Sequence, residues 1–319
     1  MTFSPEVVTL FLLDTLLFIF ATVVVFLAYK LSLNFDHRST SSRQYGMERT
    51  TYLASTIIQA IMLMKLISFP LMIYTLDNLS ISLSGAMCAV GTLSGSTYGW
   101  SSLLIRSLSL YFYGLWLVLH YHDIKTINYK YSVPKYKLYI LIYILLTVEL
   151  LMHGLFWFDL DLNAVVSCCG TIFSEASSTV SGRLLIVPTA YILISFYLAY
   201  LVTLFTAAIK HKFLSTVANI LFVLIAVWMI VSFLSPYVYQ LPTHQCPFCL
   251  FQREYYYMGY LLYPLLLLGS FFGIAPWVLL VAFKLELDTL KISAWFNGAF
   301  VALSIAYPLV YFAINRVWL

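Results

Sequence analysis

Hydrophobic positions along the chain fall into eight long runs separated by short polar stretches. Crossing a hydrocarbon layer about 30 Å thick takes roughly 20 apolar residues at 1.5 Å per residue. Runs of that size occupy Val7–Tyr29, Thr51–Leu76, Leu103–Leu119 and Leu138–Trp157. Four more occupy Leu184–Ile209, Leu214–Tyr237, Tyr255–Phe283 and Ser293–Ile314. They predict an all-α polytopic membrane protein, an eight-helix transmembrane bundle. The seventh run is long enough to tilt or break near Gly269 and Gly273, which leaves room for a ninth span if the chain doubles back there. The first run reads as a span rather than a cleavable signal, because no basic residue precedes it, Asp14 lies inside it, and it exceeds the usual signal core.

Composition sharpens this picture by exclusion. Of the 319 residues, 62% are apolar and 9% charged, against about 25% charged in an ordinary soluble domain. Mean hydropathy is +0.92. Such a chain is not a soluble enzyme, a nucleic-acid binder or a disordered protein. The formal charge of +4 therefore carries information only through its placement. Lys30, Arg38, Arg43 and Arg49 lie in the first loop, and Lys125, Lys130, Lys135 and Lys137 in the third. Lys210 and Lys212 mark the fifth loop, and Lys284 and Lys291 the seventh, so that 12 of the 17 Lys and Arg occupy alternate loops. The positive-inside rule puts those loops in the cytoplasm and both termini outside. The expected setting is a bacterial inner membrane with the remaining loops facing the periplasm and the helices in contact with lipid.

All five cysteines fall in those remaining loops: Cys88 in the second, Cys168 and Cys169 in the fourth, Cys246 and Cys249 in the sixth. Structural disulfides in an oxidising compartment are one reading. The odd count leaves at least one thiol over, and a vicinal bridge between Cys168 and Cys169 would be strained. The most specific motif is Cys246-Pro-Phe-Cys249-Leu-Phe-Gln252-Arg253, placed to open the seventh helix. A helix start favours the thiolate through its free N–H groups and dipole. Arg253, one turn beyond Cys249, would add positive potential. These are requirements of a redox-active dithiol. A zinc site would need further ligands at suitable spacing, which the chain does not offer beyond Cys168–Cys169, so the leading reading contains no metal. Met87 and Cys88 with Cys168 and Cys169 are soft ligands able to hold Cu(I), which suits a metal carrier or assembly factor.

Cys-x-x-Cys-x-x-Gln-Arg followed by an aromatic helix resembles the quinone-linked motif of the bacterial disulfide-bond-forming membrane protein B family, over about 15 residues from Cys246 to Tyr260. The resemblance implies that the cysteine pair passes electrons to a quinone lying beside Arg253 and Gln252. The helix order over 138–283 is similar to that of the related vitamin K epoxide reductase family: a helix, an outer loop with two cysteines, two helices, then a C-x-x-C at the last helix. In that reading Cys168 and Cys169 are the shuttle pair. The implied organisation is a three-helix segment over 1–137, a four-helix redox unit over 138–283 and a C-terminal helix over 284–319.

Charges inside spans are costly and mark functional hypotheses. Asp14, Lys65, Arg106, Glu149 and His153 all lie within runs. Asp14 and Lys65 are expected to neutralise each other. Glu149 and His153, four residues apart, share a helix face and read either as a proton relay to the quinone or as structural residues. Haem ligation is disfavoured, since no second intramembrane histidine faces His153.

The expectation is thus a membrane thiol:quinone oxidoreductase, with Cys246, Cys249, Cys168, Cys169 and Cys88 as redox residues and Arg253, Gln252, Glu149 and His153 at the quinone. Its electron donor would be a periplasmic thiol protein. The alternative is a non-catalytic accessory subunit or assembly factor of a respiratory or copper-handling membrane complex, its partners the other subunits. Both place every cysteine on the outer face. An impermeant thiol reagent applied to intact cells after mild reduction is expected to label them, and labelling that requires an opened membrane would overturn the topology.

Overall fold

The structure, a computed structural model, describes residues 4–35, 41–126, 130–162, 165–166, 187–242 and 244–319, the side chain of residue 43 excepted. Among these residues, eight helices are long and apolar enough to cross a membrane. They are α1 (Pro5–Asn34), α2 (Ser42–Ser80), α4 (Gly99–Lys125), α5 (Ser132–Asp159), α6 (Thr189–Ala208), α7 (Lys212–Tyr239), α8 (Gly259–Phe283) and α9 (Leu290–Asn315). The short α3 (Ala89–Ser94) lies between α2 and α4. The architecture is all-α with eight spans, as the hydrophobic pattern predicts. Helix α8 runs unbroken through Gly269 and Gly273 although Pro264 and Pro276 lie inside it, so no ninth span arises there.

Two compact units form, one from Met1–Thr75 and Gly95–Asp161, the other from Leu76–Ser94 and Leu162–Leu319. Their boundaries are not those at 137 and 283, because α5 packs on α1 and α4 within the first unit.

In the first unit, the buried positions of α1 are Val7, Leu10, Asp14, Leu17, Ala21, Val24, Ala28 and Leu31. They alternate in steps of three and four, the seam of a heptad helix pair. The partner is α5, whose Ile142, Leu146, Glu149, His153 and Phe156 follow the same spacing. The small Ala21 and Ala28 allow close approach, and the Tyr139 hydroxyl donates to the Ala21 carbonyl at 3.1 Å. On the other face of α1, Leu12, Leu16, Ile19, Val23 and Phe26 are apolar and exposed. A helix apolar all round with half its face uncovered suits lipid as its solvent.

Asp14 breaks the apolar seam, and it is fully engaged. Lys65 Nζ lies 2.9 Å from Asp14 Oδ1 and 2.6 Å from Glu149 Oε1. Arg106 donates to both Asp14 oxygens, at 2.8 and 3.3 Å, and to Ser68 Oγ at 2.7 Å. Tyr113 donates to Glu149 Oε2. Trp157 Nε1–H donates to His153 Nε2 at 2.7 Å. Because an indole only donates, that ring nitrogen is unprotonated and the proton of a neutral His153 sits on Nδ1. His153 Nδ1 lies 2.9 Å from Asp14 Oδ2, close to the carboxylate but not aligned for a hydrogen bond. Two carboxylates and two cations thus form a closed, charge-neutral network joining α1, α2, α4 and α5. The expected Asp14–Lys65 neutralisation is present, enlarged by Arg106 and Glu149. A second buried cluster ties α4 to α5: Asp123 accepts from the Tyr131 N–H at 2.9 Å, the Ser132 hydroxyl at 2.8 Å and Lys135 Nζ at 2.6 Å.

The second unit packs around Phe196, Phe222 and Phe300 with Leu262 and Leu266. Asn219 joins α7 to α9, accepting from Asn297 Nδ2 at 2.9 Å and Ser293 Oγ at 3.2 Å. Helix α8 can pass close only because it carries glycine there. A Cβ on Gly273 would lie 2.2 Å from Asn219 Nδ2, and one on Gly269 2.0 Å from Asn297 Oδ1.

Replacing Asp14 by Ala leaves Lys65 and Arg106 facing one carboxylate instead of two. Removing one partner from a buried ion network costs about 3–5 kcal/mol, so D14A is expected to lower the melting temperature of the detergent-purified protein markedly, with Asp14→Asn less severe. Equal melting temperatures for D14A and wild type would show that the network adds no stability.

Candidate functional site

Three of the five cysteines converge in the second unit. Cys88, Cys246 and Cys249 have their sulfurs within 4.8 Å of one another, and Cys88 Sγ lies 3.5 Å from Cys246 Sγ. Their exposures are 0%, 1% and 2%, so all three are sealed against the apolar core beside Leu250, Leu262 and Leu266. His244 adjoins them, with Nε2 3.4 Å from Cys249 Sγ. Cys168 and Cys169 lie outside the described residues.

The chain reaches this geometry through two loops. The first follows α2. Gly85 takes φ +87° there, and a Cβ on it would lie 2.6 Å from the Val166 carbonyl oxygen; only glycine accepts both conditions. Thr92 Oγ1 donates to the Leu76 carbonyl at 2.7 Å, which folds α3 back onto the end of α2 and leaves Cys88 at its head. The second loop, between α7 and α8, holds Cys246 and Cys249. Its backbone is bonded from both neighbouring helices: Tyr239 and Ser235 of α7 donate their hydroxyls to the Cys246 carbonyl, and Tyr263 of α8 donates to the Pro247 carbonyl at 2.8 Å. Ser235 and Tyr239 follow a π-helical segment, Ile230–Leu234, within α7. Such bulges recur at functional sites.

Gln252 joins the loops. Its amide Nε2 donates to Asp77 Oδ1 at 3.1 Å and to the Met87 carbonyl at 2.8 Å. Gln252, expected beside a quinone, is therefore engaged in holding the Cys88 loop against the C-x-x-C loop. The Met87 side chain is 65% exposed, so it does not accompany Cys88 as a soft ligand, and the sulfurs that meet Cys88 are those of the C-x-x-C.

The C-x-x-C does not open the seventh membrane helix. Cys249–Phe251 is a 3-10 turn, Arg253–Tyr255 a second one, and α8 begins only at Gly259. Gln252 is extended at ψ 155°, and Tyr256 and Tyr257 take left-handed φ of 56° and 54°, conformations that interrupt a helix. The dipole of α8 thus begins ten residues after Cys249, too far to act on its thiol, since the effect fades within the first turn. Arg253 sits in the second turn, exposed, among the exposed Tyr256 and Tyr257.

Glu149 and His153 are buried in the ion network of the first unit, and both have their polar partners there. Their shared helix face is real, but their geometry is that of a scaffold.

Comparison of the chain with protein-family models, with curated proteins and with solved structures finds no match. The chemistry must be read from the thiols. His244 was visible in the sequence as His-x-Cys-x-x-Cys, and its role follows only from its placement. Its ring packs edge-on against Tyr239 at 4.4 Å between centroids. Burial holds its pKa below the ordinary imidazole value, so at neutral pH it is a base able to accept a proton from a thiol. Cys88 stands 158 residues from Cys246, and no local spacing could have joined them.

Gln252→Ala removes two hydrogen bonds, each worth about 0.5–1.5 kcal/mol. Opening of the Cys88 loop should become roughly 5- to 160-fold more frequent. Mass-spectrometric labelling rates with a small maleimide are expected to rise by that factor at Cys88, and an unchanged Cys88 rate would remove the clamp role.

Proposed function

We propose that the chain is a membrane thiol:quinone oxidoreductase whose redox centre is Cys246 and Cys249 with Cys88 as third thiol. The observation that carries the reading is the 3.5 Å approach of Cys88 Sγ to Cys246 Sγ. A disulfide is about 2.05 Å long, so an approach of about 1.5 Å converts this contact into a bond. Support also comes from the run Cys246 to Arg253, which resembles that of the disulfide-bond-forming protein B family.

In the oxidised centre Cys246 is bonded to Cys249. A thiolate at Cys88 attacks Cys246, the S–S bond to Cys249 breaks, and Cys249 leaves as a thiolate. His244, 3.4 Å from that sulfur, is placed to exchange the proton. A second thiolate, from a periplasmic protein or from Cys168 or Cys169, then attacks Cys88 in the Cys88–Cys246 bridge and frees Cys246. A further thiol of the donor attacks the donor sulfur of that mixed disulfide, the bond to Cys88 breaks, and Cys88 leaves as a thiolate. Two electrons and two protons have then entered the centre.

Their acceptor is a quinone, which takes up two electrons and two protons when bound. Arg253 fits this role better than Gln252, because it is exposed, three and four residues before the exposed rings of Tyr256 and Tyr257. Glu149 and His153 act in this proposal as scaffold. With both termini and the cysteine loops outside, the donor approaches from the periplasm.

The protein purified in detergent is expected to reduce a short-chain quinone in a dithiol-dependent manner. Cys246→Ser should abolish the activity, and Cys249→Ser should accumulate a Cys88–Cys246 disulfide. Arg253→Ala should raise KM for quinone with kcat little changed, by the loss of one hydrogen-bond donor. Full activity in the Cys246→Ser/Cys249→Ser variant would sink the reading and favour an accessory role.

A further inference from the structure

We propose that Cys88, Cys246, Cys249 and His244 form a binding site for a zinc ion, filled when the cysteines are in the dithiol state. The inference stands apart from the redox reading, since it concerns what the reduced sulfurs hold and not where their electrons go.

The first support is distance. Zinc binds sulfur at about 2.3 Å and imidazole nitrogen at about 2.0 Å in tetrahedral sites. A tetrahedron with those bonds has S–S edges of about 3.8 Å and S–N edges of about 3.5 Å. Cys88 and Cys246 are 3.5 Å apart, and His244 Nε2 is 3.4 Å from Cys249 Sγ. The three sulfurs lie within 4.8 Å of one another, a group that His244 does not join at that spacing, so its imidazole must swing from Cys249 toward the other two sulfurs to close the fourth position. Both measured edges are within a few tenths of an ångström of a zinc polyhedron.

The donor set gives the second support. Three sulfurs and one nitrogen are a recurrent composition of structural zinc sites, with two ligands on a C-x-x-C loop and the others brought from elsewhere. Here His244 precedes Cys246 by two residues, and Cys88 comes from the first loop. A nitrogen beside the sulfurs suits four-coordinate zinc better than Cu(I), which thiolates alone satisfy.

The third support is the outer frame. Orientation of ligands by surrounding hydrogen bonds is a regular feature of metal sites. The carbonyls of Cys246 and Pro247 are fixed by Tyr239, Ser235 and Tyr263, Gln252 ties the Cys88 loop, and the T-shaped contact with Tyr239 sets the His244 ring plane. Such framing aims three sulfurs at one point inside an apolar core, where each alone would pack as well against carbon.

Binding replaces up to three S–H protons, which leave to solvent, by three Zn–S bonds. No electron moves. A Cys246–Cys249 disulfide removes two ligands, so metal and disulfide exclude each other, and zinc would hold the centre reduced.

The test uses the full chain, purified in detergent, reduced and metal-free, with Cys168 and Cys169 replaced by Ser so that only the described sulfurs remain. Cobalt(II) serves as the probe. Expected are sulfur-to-cobalt charge-transfer and tetrahedral ligand-field bands saturating at one cobalt per chain, and their loss on adding zinc. Cys88→Ser should weaken cobalt binding by more than the roughly 10–100-fold typical of outer partners, and His244→Ala by at least about tenfold. Because a variant can fail to fold, a second measurement needs none. Zinc should slow alkylation of Cys88, Cys246 and Cys249 in the wild-type chain by at least about tenfold, leaving Cys168 and Cys169 unprotected.

Absence of both cobalt bands and protection, with the three thiols shown to be reduced, overturns the site. Cobalt bands that survive Cys88→Ser overturn the assignment of its ligands. Tight Cu(I) binding without the tetrahedral cobalt spectrum overturns zinc in favour of copper. Because quinone reduction is measured separately, loss of that activity leaves this proposal standing, and failure here leaves the redox reading standing.

Discussion

A carboxylate buried among apolar helices persists only if cations meet it at hydrogen-bond distance, and the first unit is arranged around that requirement. Asp14 sits on the α1 seam where an aliphatic residue would be expected from the spacing of Leu10, Leu17, Val24 and Leu31. Its two oxygens fix Lys65 from α2 and Arg106 from α4, and those cations recruit Glu149 from α5. Four helices are registered against one another by charges that admit few alternative pairings. Apolar surfaces sliding in lipid have no such preference, since lipid tails are as apolar as leucine.

The second unit solves a related problem with neutral groups. Asn219, Ser293 and Asn297 lock α7 and α9 while Gly269 and Gly273 let α8 approach. This frame holds the helices that carry the thiol loops. Chemistry-bearing side chains then hang from short, heavily hydrogen-bonded segments rather than from long helices, so the position of each sulfur depends on backbone carbonyls held by Tyr239, Ser235 and Tyr263.

The number and class of elements were legible because crossing a bilayer demands long apolar runs, and these dominate the composition. The C-x-x-C was legible as a pair because its spacing is local, and its two sulfurs do come together. Three features escaped. Left-handed turns at Tyr256 and Tyr257 place α8 several residues late, since an unbroken Tyr-rich run gives no glycine to mark the break. Gln252 looked like a cofactor ligand because its alternative partners, Asp77 and the Met87 carbonyl, are 165 or more residues away. The pairing of Cys88 with Cys246 is a tertiary fact with no local trace. Glu149 and His153 were recognised as a pair on one face, yet their meaning depended on Arg106 and Trp157, one on another helix and one a turn further along their own.

The π-helical segment Ile230–Leu234 in α7 has a consequence for how that helix tolerates a change in its length. A π-bulge amounts to one residue more than the α-helical repeat accommodates, and each residue turns a helix by about 100°. A π turn with one residue more winds through nearly the same angle as an α turn, so excising a single codon there would restore regular winding and leave Ser235 and Tyr239 facing the Cys246 carbonyl. The same excision from a uniform α-helix would rotate them by about 100°. The helix would remain a span of nearly the same length and greasiness, although Ile230 and Leu234, which share the core of Phe222, would repack. The segment is therefore a place where one residue can be gained or lost without turning the far end of the helix out of register.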